Sequence, residues 1–120
     1  MTTYLPEPFA SMVDILQAAK EVENAIHATN AANTIDYLTA ANTWLGYAKV
    51  YFETAISSGH TKYQDLLKLV EAAMSDISEL KAGVSTAADL ASYQAETIYS
   101  YQAYLGYLYV KVNKMVMMAY

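Results

Sequence analysis

Residues 87–119, AADLASYQAETIYSYQAYLGYLYVKVNKMVMMA, decide how this chain is read. Ile98, Tyr101, Leu105, Leu108, Val112, Met115 and Ala119 recur every three or four positions, which is one face of an α-helix. The other faces of that helix carry Tyr99, Tyr104, Tyr107, Tyr109, Val110, Val116, Met117 and Met118. A helix that is apolar all round has to be covered all round. At 1.5 Å per residue it would reach about 50 Å, and it carries more apolar surface than a small bundle can hide.

Working back from this segment, three shorter amphipathic patterns precede it. Met12, Ile15, Ala19, Val22 and Ile26 mark a helix over about 9–29. Leu38, Ala41, Leu45, Ala48, Phe52 and Ala55 mark a second over about 35–57, with Thr34 as its expected N-cap. Beside that stripe, Tyr37, Trp44 and Tyr51 form another, so two buried faces are expected. Tyr63, Leu66, Val70, Ala73, Ile77 and Leu80 define a third helix over about 62–82, with Asp65, Lys68, Glu71, Asp76, Glu79 and Lys81 away from the core. Gly59 supplies a C-cap and turn, and Gly83, Ser85 and Thr86 are read as the end of the third helix and the cap of the fourth, about 87–119. The first eight residues, with Pro6 and Pro8, read as an extended arm. The fold expected is one all-α domain over 1–120, an antiparallel up-down four-helix bundle with a long projecting C-terminal helix.

Composition narrows function. Hydrophobic residues make up 55% of the chain and charged residues 16%, against roughly 25% charged in an ordinary soluble domain. All seven basic residues are lysines, and with twelve acids the net charge is −5. Arginine is the usual fork for phosphate and guanine, so a stand-alone DNA-reading role has little support. Absence of cysteine excludes thiol catalysis and zinc–thiolate sites. The opening MTTYLPEPFA lacks the basic and apolar blocks of a classical signal peptide. Ser100, Gln102, Lys111, Asn113 and Lys114 interrupt the last helix, so a membrane span is not expected.

No motif nominates an active site. Glu23 and His27 lie one helical turn apart, but two side chains on one surface helix do not make a metal site, and His60 reads as a turn residue. No catalytic residue, cofactor or metal is expected, and the chain is not read as an enzyme. The tyrosines carry more information, because six of the twelve fall between Tyr93 and Tyr109. Tyrosine offers a large rigid contact area with one polar tip and is favoured at interfaces. The expected partners are therefore identical subunits, with Tyr4, Leu5, Tyr99, Tyr104, Tyr107, Tyr109, Val116, Met117 and Met118 as the contact residues.

Two resemblances follow from residues already quoted. The tyrosine-loaded helix from Tyr93 to Tyr109 and its tail Val116-Met117-Met118, in a small Cys-free, charge-poor chain, resemble the coat (major capsid) proteins of the large spindle-shaped, tailed archaeal viruses, the bicaudavirus group. The likeness implies a four-helix subunit of a virion shell, tube or filament. Under it, Lys111 and Lys114 would make a weak contact with viral DNA, while the plainer reading of the pair is complementarity to a helix C-terminus. Trp44-Leu45-Gly46 is similar to the W-x-G of small secreted helical-hairpin proteins, which implies a dimeric export substrate or effector with a turn at Trp44.

Overall fold

The computed structural model describes residues 7–119, with side chains described from 9 to 115, and these residues form an all-helical chain with no strand among them. Helix α1 spans Glu7–His27, α2 Ala31–Ser57 and α3 Gln64–Thr86, the last entered through a 3-10 turn at Thr61–Tyr63. A short helix α4, Leu90–Tyr93, passes through a π-helical turn, Gln94–Ile98, into α5, Tyr99–Ala119. These last three run as one helical rod, because Gln94 and Tyr99 at the joints keep α-helical dihedrals. Helix α1 packs most extensively on α2, α2 on α3 and α1 on α5, while α3 and α5 touch least. The expected extended arm, including Tyr4 and Leu5, falls mainly outside the described residues, and α1 already begins at Glu7.

The core is continuous across the four helical runs. All six stripe residues expected on α2 are buried, as are all six on the 3-10 turn and α3, with Val84 extending the latter. On the final rod, Ile98, Leu105, Leu108 and Val112 are fully buried. On α1 the seam turns by one position. Ser11, Ile15, Ala18, Val22 and Ala25 lie deepest, while Met12, Ala19 and Ile26 are half-buried beside them. Small side chains face each other here, with Ala18 and Ala25 on one helix and Ala41, Ala48 and Ala55 on the other buried. Such residues allow two helices to approach closely.

Several boundaries differ from those expected, each for a local reason. Helix α2 starts before Ile35, because the Asn30 side chain, not that of Thr34, caps it by accepting the Asn33 N–H at 2.8 Å. Thr34 lies buried inside the helix, donating its hydroxyl to the Asn30 carbonyl at 2.8 Å. Gly83 does not end α3, which continues to Thr86. A side chain there would collide with the Tyr93 ring, whose hydroxyl crosses to donate to the Leu80 carbonyl at 3.0 Å. The glycine is thus a place of close approach, and only Gly59 among the described residues has a positive φ, +102°. Asp89 caps the final rod, accepting the Ala91 and Ser92 N–H groups at 3.1 and 3.4 Å.

Two larger expectations also need correction. The final rod covers 30 residues but α2 covers 27, so the rod exceeds α2 by only about 5 Å at 1.5 Å per residue. It outruns α1 and α3, of 21 and 23 residues, by about 10–14 Å. The second stripe on α2 is only partly covered: Trp44 and Tyr51 are half-buried and Tyr37 is exposed. Its irregular turn aside, the rod runs unbroken through Gly106, where a kink could have shortened it.

Candidate functional site

Helix α5 sets up the surface of interest. Its buried seam leaves Tyr99, Ser100, Ala103, Gly106, Tyr107 and Val110 exposed, and no charged residue occurs between Glu96 and Lys111. Tyr99, Tyr107 and Val110 keep 61%, 54% and 53% of their surface exposed, which leaves three large side chains available to a second molecule. Gly106 and Ala103 form a shallow place among them, and nothing approaches the position a Gly106 side chain would take. Tyr104 and Tyr109 turn partly inward and pack against the core. Exposed apolar bulk is not confined to this helix, as the sequence had suggested: Phe9, Val13 and Leu16 on α1 and Tyr47 and Val50 on α2 also face outward. Of the remaining expected contact residues, Tyr4 and Leu5 lie outside the described residues. For Val116, Met117 and Met118 the backbone is helical and the side chains are not described.

The tyrosines on the inner flank of α5 form a ladder. Ring centres of Tyr101 and Tyr104 lie 5.7 Å apart, those of Tyr104 and Tyr107 6.3 Å, and the Lys111 ammonium stands 5.4 Å from the Tyr107 ring. Between this flank and α3 opens a groove of about 540 Å³, walled by Tyr93, Tyr101 and Tyr104 on one side and Asp76 and Glu79 on the other. It exists because α3 and α5 barely touch and are joined by polar crossings: Tyr101 donates to the Ala73 carbonyl at 2.6 Å, and Tyr93 bonds Leu80. Burial, then the negative charge of Asp76, pushes the Tyr101 hydroxyl well above the ordinary phenol range and raises that of Tyr104. Burial alone raises Tyr93.

A second polar node lies at the π-helical turn. Gln94 is buried, and its Nε2 donates to the Ala25 and Ala28 carbonyls, each at 2.9 Å, and to the Thr34 hydroxyl oxygen at 3.1 Å. It therefore completes the C-terminal end of α1, where carbonyls lack partners within the helix. One extra residue per turn, the signature of a π bulge, sets this side chain inward. Sequence reasoning missed it, since a lone glutamine in a helical pattern reads as surface. Further along the α1–α5 seam, Gln102 donates to Glu23 at 2.6 Å, and the other Glu23 oxygen meets His27 at 2.8 Å. The Gln102 bond, then that of His27, holds the Glu23 carboxyl below the usual glutamate range.

The chemistry-bearing residues do not converge. Glu23 pairs with both His27 and Gln102, His60 is exposed ahead of the 3-10 turn, and no group of three or more His, Asp or Glu side chains among the described residues could hold a metal. No helix among the described residues is long and apolar enough to cross a membrane. Trp44-Leu45-Gly46 sits in the middle of α2 and makes no turn. The chain matches no family model, no curated protein and no solved structure.

Proposed function

We propose that this chain is a structural subunit that assembles with copies of itself, a coat protein of a virion shell, tube or filament. The observation that carries the reading is the uncharged outward stripe of α5 from Tyr99 to Val110, with two exposed tyrosines, an exposed valine and small residues between them. Over a helix length of about 17 Å such a stripe gains by being covered, and large exposed apolar patches mark interaction surfaces. Low charge and the tyrosine-rich final helix agree with the resemblance to the spindle-shaped archaeal virus coats. A net acidic chain without arginine departs from a coat that wraps DNA tightly and fits a shell or tail with few phosphate contacts.

Within the subunit, the arrangement is an antiparallel up-down four-helix bundle. Contacts that rise in number along one helix fall along its neighbour: Gln94 meets Ala28 and Gln102 meets Glu23 across α1 and α5, while Tyr93 meets Leu80 and Tyr101 meets Ala73 across α3 and α5. Three-residue connections at 28–30, 58–60 and 87–89 favour each helix folding back on the last. The unequal lengths leave one end of the rod beyond α1 and α3, open to a neighbour.

Electron microscopy and sedimentation of concentrated protein test the assembly. Tubes, filaments or sheets are expected, and Tyr107→Asp with Val110→Asp should raise the concentration needed for assembly by about tenfold or more while helicity by circular dichroism is unchanged. Clean monomers of the unaltered chain at high concentration would overturn the proposal.

A further inference from the structure

Resting on the self-assembly reading, we infer that the groove between α3 and α5 receives the lysine-bearing end of α5 from a second copy. The groove presents two carboxylates, Asp76 and Glu79, opposite the rings of Tyr93, Tyr101 and Tyr104. Among the described residues neither carboxylate pairs with a lysine. Carboxylates facing aromatic rings in an open groove make a site for a cation, attracted by both the charge and the ring faces. The lining suits an alkylammonium chain: a lysine can lay its methylene stem against the tyrosines and direct its charge to the acids.

The chain carries the matching group. Five lysines and all twelve acids precede residue 97, whereas Lys111 and Lys114 follow with no acid after them. This makes the body acidic and the end of α5 the one basic segment. Both lysines are exposed and lie three residues apart, on neighbouring positions of one helix face. Lys111 already shows the required chemistry by standing over the Tyr107 ring of its own helix. It cannot fill its own groove, since seven residues of helix separate it from Tyr104, the nearest wall residue on α5, about 10 Å along the axis and more than a lysine side chain spans. The occupant is therefore another molecule, offset along its length.

The contact joins two unlike surfaces, groove and lysine end, so each subunit offers one of each. Repeated with a constant offset, such a heterologous contact leads to an open filament or tube. It would act beside the apolar stripe and fix the register of neighbours, because a misplaced lysine leaves the carboxylates unsatisfied.

Complementation tests it with the full chain. One variant carries Asp76→Lys and Glu79→Lys; the other carries Lys111→Glu and Lys114→Glu. Each alone should lower the assembled fraction by about tenfold or more, and an equimolar mixture should recover most of it, since every groove then faces an end of opposite charge. Neutral Asp76→Asn with Glu79→Gln should weaken assembly less, and about 1 M salt, which shortens the screening length to about 3 Å, should weaken it in the unaltered protein. Circular dichroism verifies that each variant is folded. The inference is overturned if the unaltered chain assembles and the reversed variants assemble equally well, or if folded variants fail to complement. It is also overturned if Lys111→Glu with Lys114→Glu abolishes binding to a short duplex DNA and leaves assembly intact, which assigns the lysines to nucleic acid. Failure of the unaltered chain to assemble at all would instead remove the self-assembly reading, and this inference with it.

Discussion

Replacing Gln94 by methionine isolates the polar node that ties the final rod to α1. Methionine has nearly the same length and is unbranched, so it fills the space but donates nothing. The side-chain amide has two hydrogens and serves three acceptors: the Ala25 carbonyl, the Ala28 carbonyl and the Thr34 hydroxyl. Ala25 retains a long 3.4 Å bond from the Ala28 N–H, and Thr34 still donates to Asn30, so the loss is not complete. With a net hydrogen bond worth about 0.5–1.5 kcal/mol and a stranded buried acceptor costing about 1–3, Gln94→Met should destabilise the fold by about 2–3 kcal/mol. For a chain of this size the melting temperature should fall by on the order of 10 °C. Urea unfolding followed by circular dichroism measures this, with an unchanged slope showing that the unfolded state is not altered. Thr34→Val removes one acceptor, and the double variant should show a coupling of about 0.5–1 kcal/mol with Gln94→Met. A loss below about 0.5 kcal/mol, or strictly additive variants, would refute the claim that this amide carries the junction.

Gly83→Ala should destabilise the protein despite the gain of about 1 kcal/mol that alanine usually brings to a helix interior, because its Cβ meets the Tyr93 ring. In a Tyr93→Ala background the same change should become stabilising, and the reversal of sign can be read by thermal melting. Glu23 titrates below an ordinary glutamate when folded, so its contribution is present above the unfolded value, about 4.3, and fades as pH falls through the lower folded value. Carboxyl NMR of Gln102→Ala should show Glu23 moving back up toward the ordinary range, with His27→Ala giving a smaller shift. Tyr101 has the opposite sense: its folded value is raised by burial first and by Asp76 second, so the stabilisation holds below the unfolded value near pH 10 and is lost as pH rises further. Absorbance at alkaline pH should find tyrosines that ionise only as the helices melt, and Tyr101→Phe should remove the most resistant of them.

The parts of this fold legible in sequence are those written in large apolar side chains. The stripes of α2 and α3 could be numbered residue by residue, because Leu38, Leu45 and Phe52 on one and Leu66, Val70, Ile77 and Leu80 on the other recur at helical spacing and carry the smaller residues between them. The seam of α1 was displaced by one position, since the deepest places went to Ser11, Ala18 and Ala25, whose small size matters for close approach but hardly registers as hydropathy. The turn residues misled for a related reason. Thr34 and Gly83 fit the usual cap and stop, yet each is held inside a helix by a distant partner, Gln94 and Tyr93 respectively. Of the expected contact residues, exposed Tyr99 and Tyr107 were readable as surplus apolar surface. The inward tilt of Tyr104 and Tyr109 depends on the exact phase of α5, which the π-helical turn shifts after Gln94.

That dependence on distant partners has a consequence for assembly. Helix crossings inside the subunit use neutral donors: Gln94 to α1 carbonyls, Asn42 to the Met74 carbonyl at 3.2 Å, Tyr93 to Leu80 and Tyr101 to Ala73. None of these donors is ionised, whereas the proposed contact between copies joins the carboxylates of Asp76 and Glu79 to lysines and is screened by salt. The inter-helix ion pair Lys49–Glu71, at 3.8 Å and partly solvated, is of the kind that contributes little. Raised salt should therefore leave the subunit folded while weakening a charged contact between copies, and a contact through the uncharged stripe of α5 should persist. If copies associate as proposed, the two contributions are separable by salt: what survives at about 1 M salt measures the apolar stripe, and what is lost measures the lysine–carboxylate contact.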